Sequence, residues 1–117
     1  MSSVLFVLND GPYGSERSYN GLRHAMTMAK QPDTEVRVFL MADATTCALA
    51  GQKTPEGYYS IERMLKGLTA KKALVALCGT CMDARGLASL PLVEGASRGS
   101  MDLLAQWTLE ADKVIVY

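Results

Sequence analysis

Short apolar runs alternate with amphipathic, helix-like segments along this sequence, and that alternation limits the chain to few folds. Four runs have the length and composition of strands: residues 4–8, 35–41, 73–77 and 113–117. Between them, apolar residues recur with helical spacing, as in Leu22, Ala25, Met26 and Ala29. Strands joined through helices pair in parallel by right-handed crossovers. The sequence therefore predicts an α/β three-layer sandwich, with a mainly parallel sheet of about five strands and helices on both faces.

Candidate capping residues indicate where the helices in the first half of the chain begin. The first helix is expected to begin after a serine cap, either Ser15 or Ser18, and to end near Ala29. Residues 42–50 are predicted to form a short helix after the second strand, with Asp43 as its cap. Both helices then start at the edge of the sheet where the preceding strand ends.

The second half of the chain has a clear helix and a less regular end. Residues 58–68 are predicted to form a helix with one apolar face. Residues 92–94 are expected to form a short fourth strand, and Ser97 or Ser100 to cap a helix that ends near Ala111. The run at 113–117 then closes the sheet.

The charges of the chain balance, with 12 Lys and Arg against 12 Asp and Glu. Binding to nucleic acid or to an anionic membrane surface needs a basic excess, so neither partner is expected. No apolar stretch is long enough for a membrane helix or has the form of a signal peptide, so the expected location is cytoplasmic. The length indicates a single domain over residues 1–117. A neutral chain also leaves self-association unopposed.

Two of the three cysteines, Cys78 and Cys81, follow directly on the third apolar run. The carboxyl ends of parallel strands are where open α/β sheets place their chemistry. Free N–H groups of a following helical turn, and the charge of Arg85, favour the nucleophilic thiolate if they reach the sulfur. In a reducing cytosol, a Cys-x-x-Cys is more often catalytic or metal-binding than a structural disulfide. Cys78, Cys81 and Arg85 are therefore the candidate catalytic residues.

A metal site is the competing use of these thiols, and the chain offers few ligands for one. Zinc takes three or four protein ligands, and besides Cys78 and Cys81 only Cys47 and His24 are available. Cys47 lies in an apolar stretch and is expected in the core, and His24 is expected to be an ordinary helix residue. We expect no metal. The loop at 9–15 matches no nucleotide-binding motif, so we expect no cofactor, and it is read equally as a plain loop or as an anion site.

Four segments, taken in this order, resemble the DsrE/DsrF-like family and its YchN-like branch: residues 9–17, 39–44, 78–86 and 111–117. The resemblance covers nearly the whole chain and implies a DsrE-like α/β domain in intracellular sulfur metabolism. Sulfur-carrying members of the family hold a persulfide on a cysteine after the third strand, seven residues before an Arg-Gly pair, which corresponds here to Cys78 and Arg85-Gly86. The family also implies a homo-oligomer, a trimer or hexamer, and sulfur donor or acceptor proteins as partners.

The leading hypothesis is a cytosolic sulfur carrier, sulfurtransferase-like if it is active, with a persulfide on Cys78. Arg85 and the N–H groups of residues 79–81 would stabilise its charge. Cys81 is an extra thiol that those carriers generally lack, and it could release the sulfur or form a disulfide. Two alternatives remain open at this point: a non-catalytic oligomeric module that binds a small ligand or a protein, and a dithiol redox switch of Cys78 and Cys81.

Overall fold

A computed structural model describes residues 1–117 and contains one five-stranded sheet in the order β4-β3-β2-β1-β5. All four strand pairs are parallel. The strands are β1 (Ser2–Leu8), β2 (Thr34–Leu40), β3 (Leu74–Cys78), β4 (Ala96–Gly99) and β5 (Lys113–Val116). The parallel α/β sheet expected from the alternating pattern is thus confirmed.

Helices cover the two faces of the sheet unequally. They are α1 (Arg17–Ala29), a 3-10 helix (Ala42–Ala48), α2 (Ile61–Ala70), α3 (Gly79–Ala84) and α4 (Met101–Glu110). On one face, α1, α2 and the 3-10 helix enclose a core of 20 buried residues. On the other, α4 covers a second core of only 5 buried residues. This arrangement agrees with a three-layer sandwich, and the smaller face is the one that contains Cys78.

The smaller core is built around Trp107 of α4, which meets Phe39 of β2 edge to face at a centroid distance of 6.0 Å. The guanidinium of Arg37 lies 5.5 Å from the centre of the Trp107 ring and pairs with Glu110 and Glu35. Because α4 is the only long helix on this face, other apolar side chains stay open to solvent. Those of Leu74, Val114 and Val116 are 48%, 44% and 64% exposed.

The caps of the first two helical segments differ from the expectation. Helix α1 starts after Glu16, which makes no side-chain cap, and Ser15 and Ser18 both donate hydrogen bonds to Asp10. The short helix at 42–50 is a 3-10 helix that ends at Ala48. It starts after Met41 without a side-chain cap, so the expected capping role of Asp43 is wrong.

Helix α2 begins at Ile61, not at residue 58, because the Ser60 side chain accepts a hydrogen bond from the N–H of Arg63 and caps it there. Tyr58 therefore lies outside the helix and is 52% exposed. The expected serine cap of α4 is confirmed for Ser100, whose Oγ accepts a hydrogen bond from the N–H of Leu103 at 3.1 Å.

The prediction of the fourth strand at residues 92–94 is wrong. Leu92 pairs with Leu49 in one isolated antiparallel bridge, and the real strand β4 runs over Ala96–Gly99 beside β3. β4 is an edge strand whose residues Ser97 and Arg98 are exposed. An edge strand with so little apolar character lacks the hydrophobic pattern by which strands are detected. None of the helices has the length and apolar character needed to cross a membrane.

Candidate functional site

Cys78 is the last residue of β3 and also the N-cap of α3. Its Sγ accepts a hydrogen bond from the backbone N–H of Cys81 at 3.3 Å. A thiol here takes the place that a serine or aspartate oxygen usually takes at the start of a helix. The two cysteines are therefore held together by local backbone geometry, at the carboxyl edge of the sheet as the sequence predicts.

The environment of Cys78 favours its thiolate. Only 4% of the residue is exposed, and this burial opposes ionisation. Hydrogen bonds from the Cys81 thiol, from the Thr80 hydroxyl 3.3 Å from Sγ, and from the N–H groups of both residues outweigh the burial. The net effect lowers the pKa of Cys78 below that of an ordinary thiol. Thr80 is a site residue that a cysteine-spacing argument does not identify.

The environment of Cys81 disfavours its thiolate. Burial and its hydrogen bond to Cys78 raise the pKa of Cys81, although the N–H of Ala42 donates to its Sγ at 3.3 Å and the charge of Arg85 favours ionisation. Ala42 reaches this position with a φ of 50°, in the left-handed region that only glycine adopts freely. The pair thus divides into a thiolate-forming Cys78 and a thiol that stays protonated, Cys81.

Arg85 lies on the Cys81 side of the site. Its Nε donates to Oδ1 of Asp43 at 2.9 Å, and its Nη1 donates to the carbonyl oxygen of Cys81 at 3.1 Å. Asp43, expected as a helix cap, is instead the ion-pair partner that shares the charge of Arg85. The seven-residue spacing between Cys78 and Arg85 therefore brings the arginine to the second cysteine of the motif.

The cation beside Cys78 is Arg98, which the sequence analysis did not identify. Its Nη1 and Nη2 donate to the two carboxylate oxygens of Asp83 at 2.8 and 2.9 Å. The guanidinium packs against Gly79. The hydrogen bond with Asp83 and the charge of that carboxylate raise the pKa of Arg98, and the charge of the Cys78 thiolate adds a smaller effect in the same direction. Arg98 is in β4, one residue before the partner of Cys78 in the ladder. Since β4 was not recognised as a strand, no sequence signal placed this arginine.

Two residues considered as metal ligands are structural. Cys47 is fully buried, and burial raises its pKa to about 12, which makes it an unreactive thiol. Nδ1 of His24 lies 2.8 Å from the hydroxyl oxygen of Tyr117, and its ring meets Phe6 edge to face. In the folded chain, no three His, Cys, Asp or Glu side chains come close enough together to hold a metal ion.

The loop between β1 and α1 lies at the same edge of the sheet but turns away from the cysteines. Asp10 accepts a hydrogen bond from Ser15 Oγ at 2.6 Å. The hydroxyl of Tyr13 lies 3.1 Å from the carbonyl oxygen of Tyr59 and 3.2 Å from the N–H of Ile61. Asp10 and Tyr13 therefore organise the loops on the larger face, and they contribute no contact to the cysteine pair.

Nearly the whole chain matches the sequence model of a known family. The sequence model of the DsrE/DsrF-like family covers residues 2–117. Protein YchN of Escherichia coli is 48% identical over 118 residues, with 100% of both chains covered. The chain therefore belongs to the DsrE/DsrF-like family.

More distant relatives and solved structures agree with this assignment. The uncharacterized protein MK0008 of Methanopyrus kandleri is 34% identical over 114 residues, which span 97% of this chain and 93% of that protein. The crystal structure of the ychN protein from E. coli superposes with a TM-score of 0.96 at 47% identity, over 100% of both chains. The structure of MTH1491 from Methanobacterium thermoautotrophicum, at 15% identity and a TM-score of 0.79 over 100% of both chains, shares the fold.

Proposed function

We propose that this protein is a sulfur carrier of the sulfurtransferase type, in which Cys78 holds a persulfide. The observation that carries the proposal is the set of donors directed at one sulfur: the N–H of Cys81 and the hydroxyl of Thr80, each 3.3 Å from Sγ of Cys78. Donors that are already in place stabilise a negative charge on sulfur without reorganisation. Membership of a family with sulfur-carrying members supports the same function.

The loading step is a sulfur transfer without net oxidation. The Cys78 thiolate attacks the outer sulfur of a small persulfide donor, R–S–SH. The S–S bond of the donor breaks, a new S–S bond forms to Sγ of Cys78, and the donor leaves as the thiolate R–S⁻. The products are Cys78–S–SH and R–S⁻, so atoms and electrons balance. Because Cys78 is only 4% exposed, we expect small donors to load it faster than bulky ones.

Cys81 determines how long the persulfide persists. As a thiolate it would attack Sγ of Cys78 and expel HS⁻, leaving a disulfide between the two cysteines. The environment that raises the pKa of Cys81 keeps it protonated near neutral pH and so suppresses this loss. We therefore propose that Cys81 donates a hydrogen bond to the loaded sulfur under these conditions and does not discharge it.

Intact-mass measurement after incubation with a small polysulfide tests the proposal. We expect the native protein to gain the mass of one sulfur atom, which a reductant removes. Cys78→Ser should abolish the gain, and Cys47→Ser, a change at a buried thiol, serves as the matched control that retains it. A gain that persists in Cys78→Ser, or no gain in the native protein, would refute the carrier function.

A dithiol redox switch is the second candidate, because the N–H of Cys81 donates to Sγ of Cys78 and holds the two cysteines together at the start of α3. Oxidation of both thiols, with transfer of two electrons to an oxidant such as a peroxide, would then join Cys78 to Cys81. The two candidates give different masses. The switch loses two hydrogen atoms and gains no sulfur, whereas the carrier gains sulfur and becomes oxidised only when Cys81 ionises.

We further propose that the chain works as a homo-oligomer, a trimer or hexamer, in the cytoplasm with sulfur donor and acceptor proteins. The α4 face supports self-association, since it leaves Leu74, Val114 and Val116 exposed on one side of the sheet. Light scattering coupled to size-exclusion chromatography measures the state. Val116→Lys should shift it toward the monomer, and a native monomer would exclude the oligomer.

A further inference from the structure

A second site is built on the opposite side of the sheet, where α1 meets the start of α2 and the segment before it. There a groove with a volume of about 510 Å³ is lined by residues from both helices and by Tyr58 and Tyr59. Its volume lies in the range of small-molecule sites, roughly 300–1,000 Å³. The cysteine pair packs with the α4 core, so the groove and the candidate sulfur site share no residue.

One wall of the groove is a stack of tyrosine rings. Tyr19 stacks on Tyr59 at a centroid distance of 4.1 Å, and Tyr59 stacks on Tyr58 at 4.7 Å. The main chain behind this wall is held by Tyr13, whose hydroxyl reaches the carbonyl oxygen of Tyr59 and the N–H of Ile61. Tyr58 nevertheless remains 52% exposed. The wall therefore presents a rigid aromatic surface whose outer ring is not covered by this chain.

All charged residues that line the groove are basic: Arg23, Lys30 and Arg63. None of them is among the ion-paired side chains of this structure. The guanidinium of Arg23 lies 5.5 Å from the centre of the Tyr19 ring, so charge and aromatic wall adjoin. Although the net charge of the chain is zero, three cations without an ion-pair partner around one cavity attract an anion.

The nearby acidic residues do not neutralise these cations. Glu62 turns away and accepts hydrogen bonds from the N–H groups of Gly51 and Gln52. Glu16 lines an adjoining cavity that shares the three tyrosines of the wall, and it forms no ion pair with the basic residues of the groove. Burial raises the pKa of Tyr59 to about 12, so this ring carries no negative charge at neutral pH. The residues that line the groove therefore carry a net positive charge at neutral pH.

We propose that this groove binds a small anion with a flat aromatic ring, of the size and charge of a nucleoside monophosphate. The ring packs on the exposed face of the tyrosine stack, as bases do on aromatic side chains. The anionic group pairs with Arg23 and Arg63, whose planar guanidinium groups suit phosphate oxygens. Binding here is independent of the sulfur chemistry, because no cysteine takes part.

Calorimetric titration with adenosine monophosphate at low salt tests the site. Two further probes are adenosine, which lacks the phosphate, and ribose 5-phosphate, which lacks the aromatic ring. We expect the nucleotide to bind about tenfold more tightly than either half, and added salt to weaken it. The double change Arg23→Gln and Arg63→Gln should weaken binding about tenfold or more. Tyr58→Leu should cost about fivefold, because it removes the exposed ring on which the base stacks.

Arg17→Gln is the matched control, because Arg17 is also an unpaired arginine of α1 but does not line the groove. It should leave the affinity within about twofold of the native value. The proposal is overturned if the nucleotide does not bind, if it binds no better than adenosine, or if Arg17→Gln weakens it as much as the double change. Cys78→Ser should bind normally, which separates this site from the carrier function.

Discussion

The guanidinium of Arg98 lies against Gly79, 2.9 Å from the position that a Cβ on that glycine would occupy. Gly79 directly follows Cys78, so the absence of a side chain here lets the arginine approach the start of α3. Asp83 holds the guanidinium from the other side with two hydrogen bonds of 2.8 and 2.9 Å. A positive charge thereby stays beside the thiol that is expected to ionise.

Gly79→Ala should raise the pKa of Cys78, and only modestly because Arg98 is partly solvated. The added methyl group displaces the guanidinium, and the favourable charge moves away from the sulfur. The rate of alkylation of Cys78 as a function of pH measures the shift, and Arg98→Gln should change it in the same direction. An unchanged profile in both variants would show that Arg98 has no influence on the thiol.

Gly67→Ala provides the control for this change. Gly67 is in α2, and a Cβ there would meet nothing nearer than Met26 Cε at 4.0 Å. Alanine is the better helix former, so we expect the free energy of unfolding to rise by up to about 1 kcal/mol. The pKa of Cys78 should not change. Gly79 is also in a helix. If helix propensity were the only effect, Gly79→Ala would therefore be stabilised as much as Gly67→Ala.

Changes in the ion pair of Arg85 and Asp43 should move the pKa of Cys81 in opposite directions. Asp43→Asn removes the carboxylate that shares the arginine's charge, so the charge acts more fully on Cys81 and lowers its pKa. Arg85→Gln removes a group that favours the thiolate and raises it. Alkylation of Cys81 against pH, in a Cys78→Ser background, distinguishes the two. A shift of the same sign in both variants would contradict the placement of Arg85 beside Cys81.

Cys47 should make the fold less stable at alkaline pH. Burial raises its folded pKa to about 12, whereas a thiol in the unfolded chain titrates near about 8.5. Because the folded pKa is the higher one, the stabilisation is fully present below the unfolded pKa and is lost as pH rises toward the folded one. Between these two pH values, the free energy of unfolding measured with urea should therefore decline as pH rises. The decline should be shallower in Cys47→Ala. Equal slopes would mean that another group controls the alkaline loss.

Ala42→Gly should stabilise the protein by about 1 kcal/mol. A φ of 50° costs an L-residue roughly 1–2 kcal/mol, which glycine avoids, although glycine loses more entropy on folding. The N–H that donates to Cys81 is retained, so the pKa of that thiol should not change. Ala105→Gly, an exposed position within α4, is the control and should destabilise by about 1 kcal/mol. Denaturant titration gives both values, and a loss in both variants would argue against strain at Ala42.

The parts of the fold that were predictable are those with a strong local pattern. β1, β2 and β3 are rich in apolar residues and lie close to where the hydrophobic runs placed them, and Ser100 caps α4 as its sequence suggests. β4 was misplaced because the strand Ala96–Gly99 exposes polar side chains at an edge and is defined by hydrogen bonds to β3. Hydrogen-bonding partners of that kind leave no periodic signal in the chain.

The sequence by itself determined the parallel α/β architecture and the position of the Cys78–Cys81 pair at the end of a strand, because burial and helix capping are local properties. Only the tertiary structure decided which cation adjoins which thiol. Arg85 follows the motif in sequence yet pairs with Asp43 beside Cys81, whereas Arg98 comes from the neighbouring strand and packs against Gly79, the residue after Cys78. Contacts between strands and loops distant in sequence depend on register and packing, and these exist only once the whole sheet has formed.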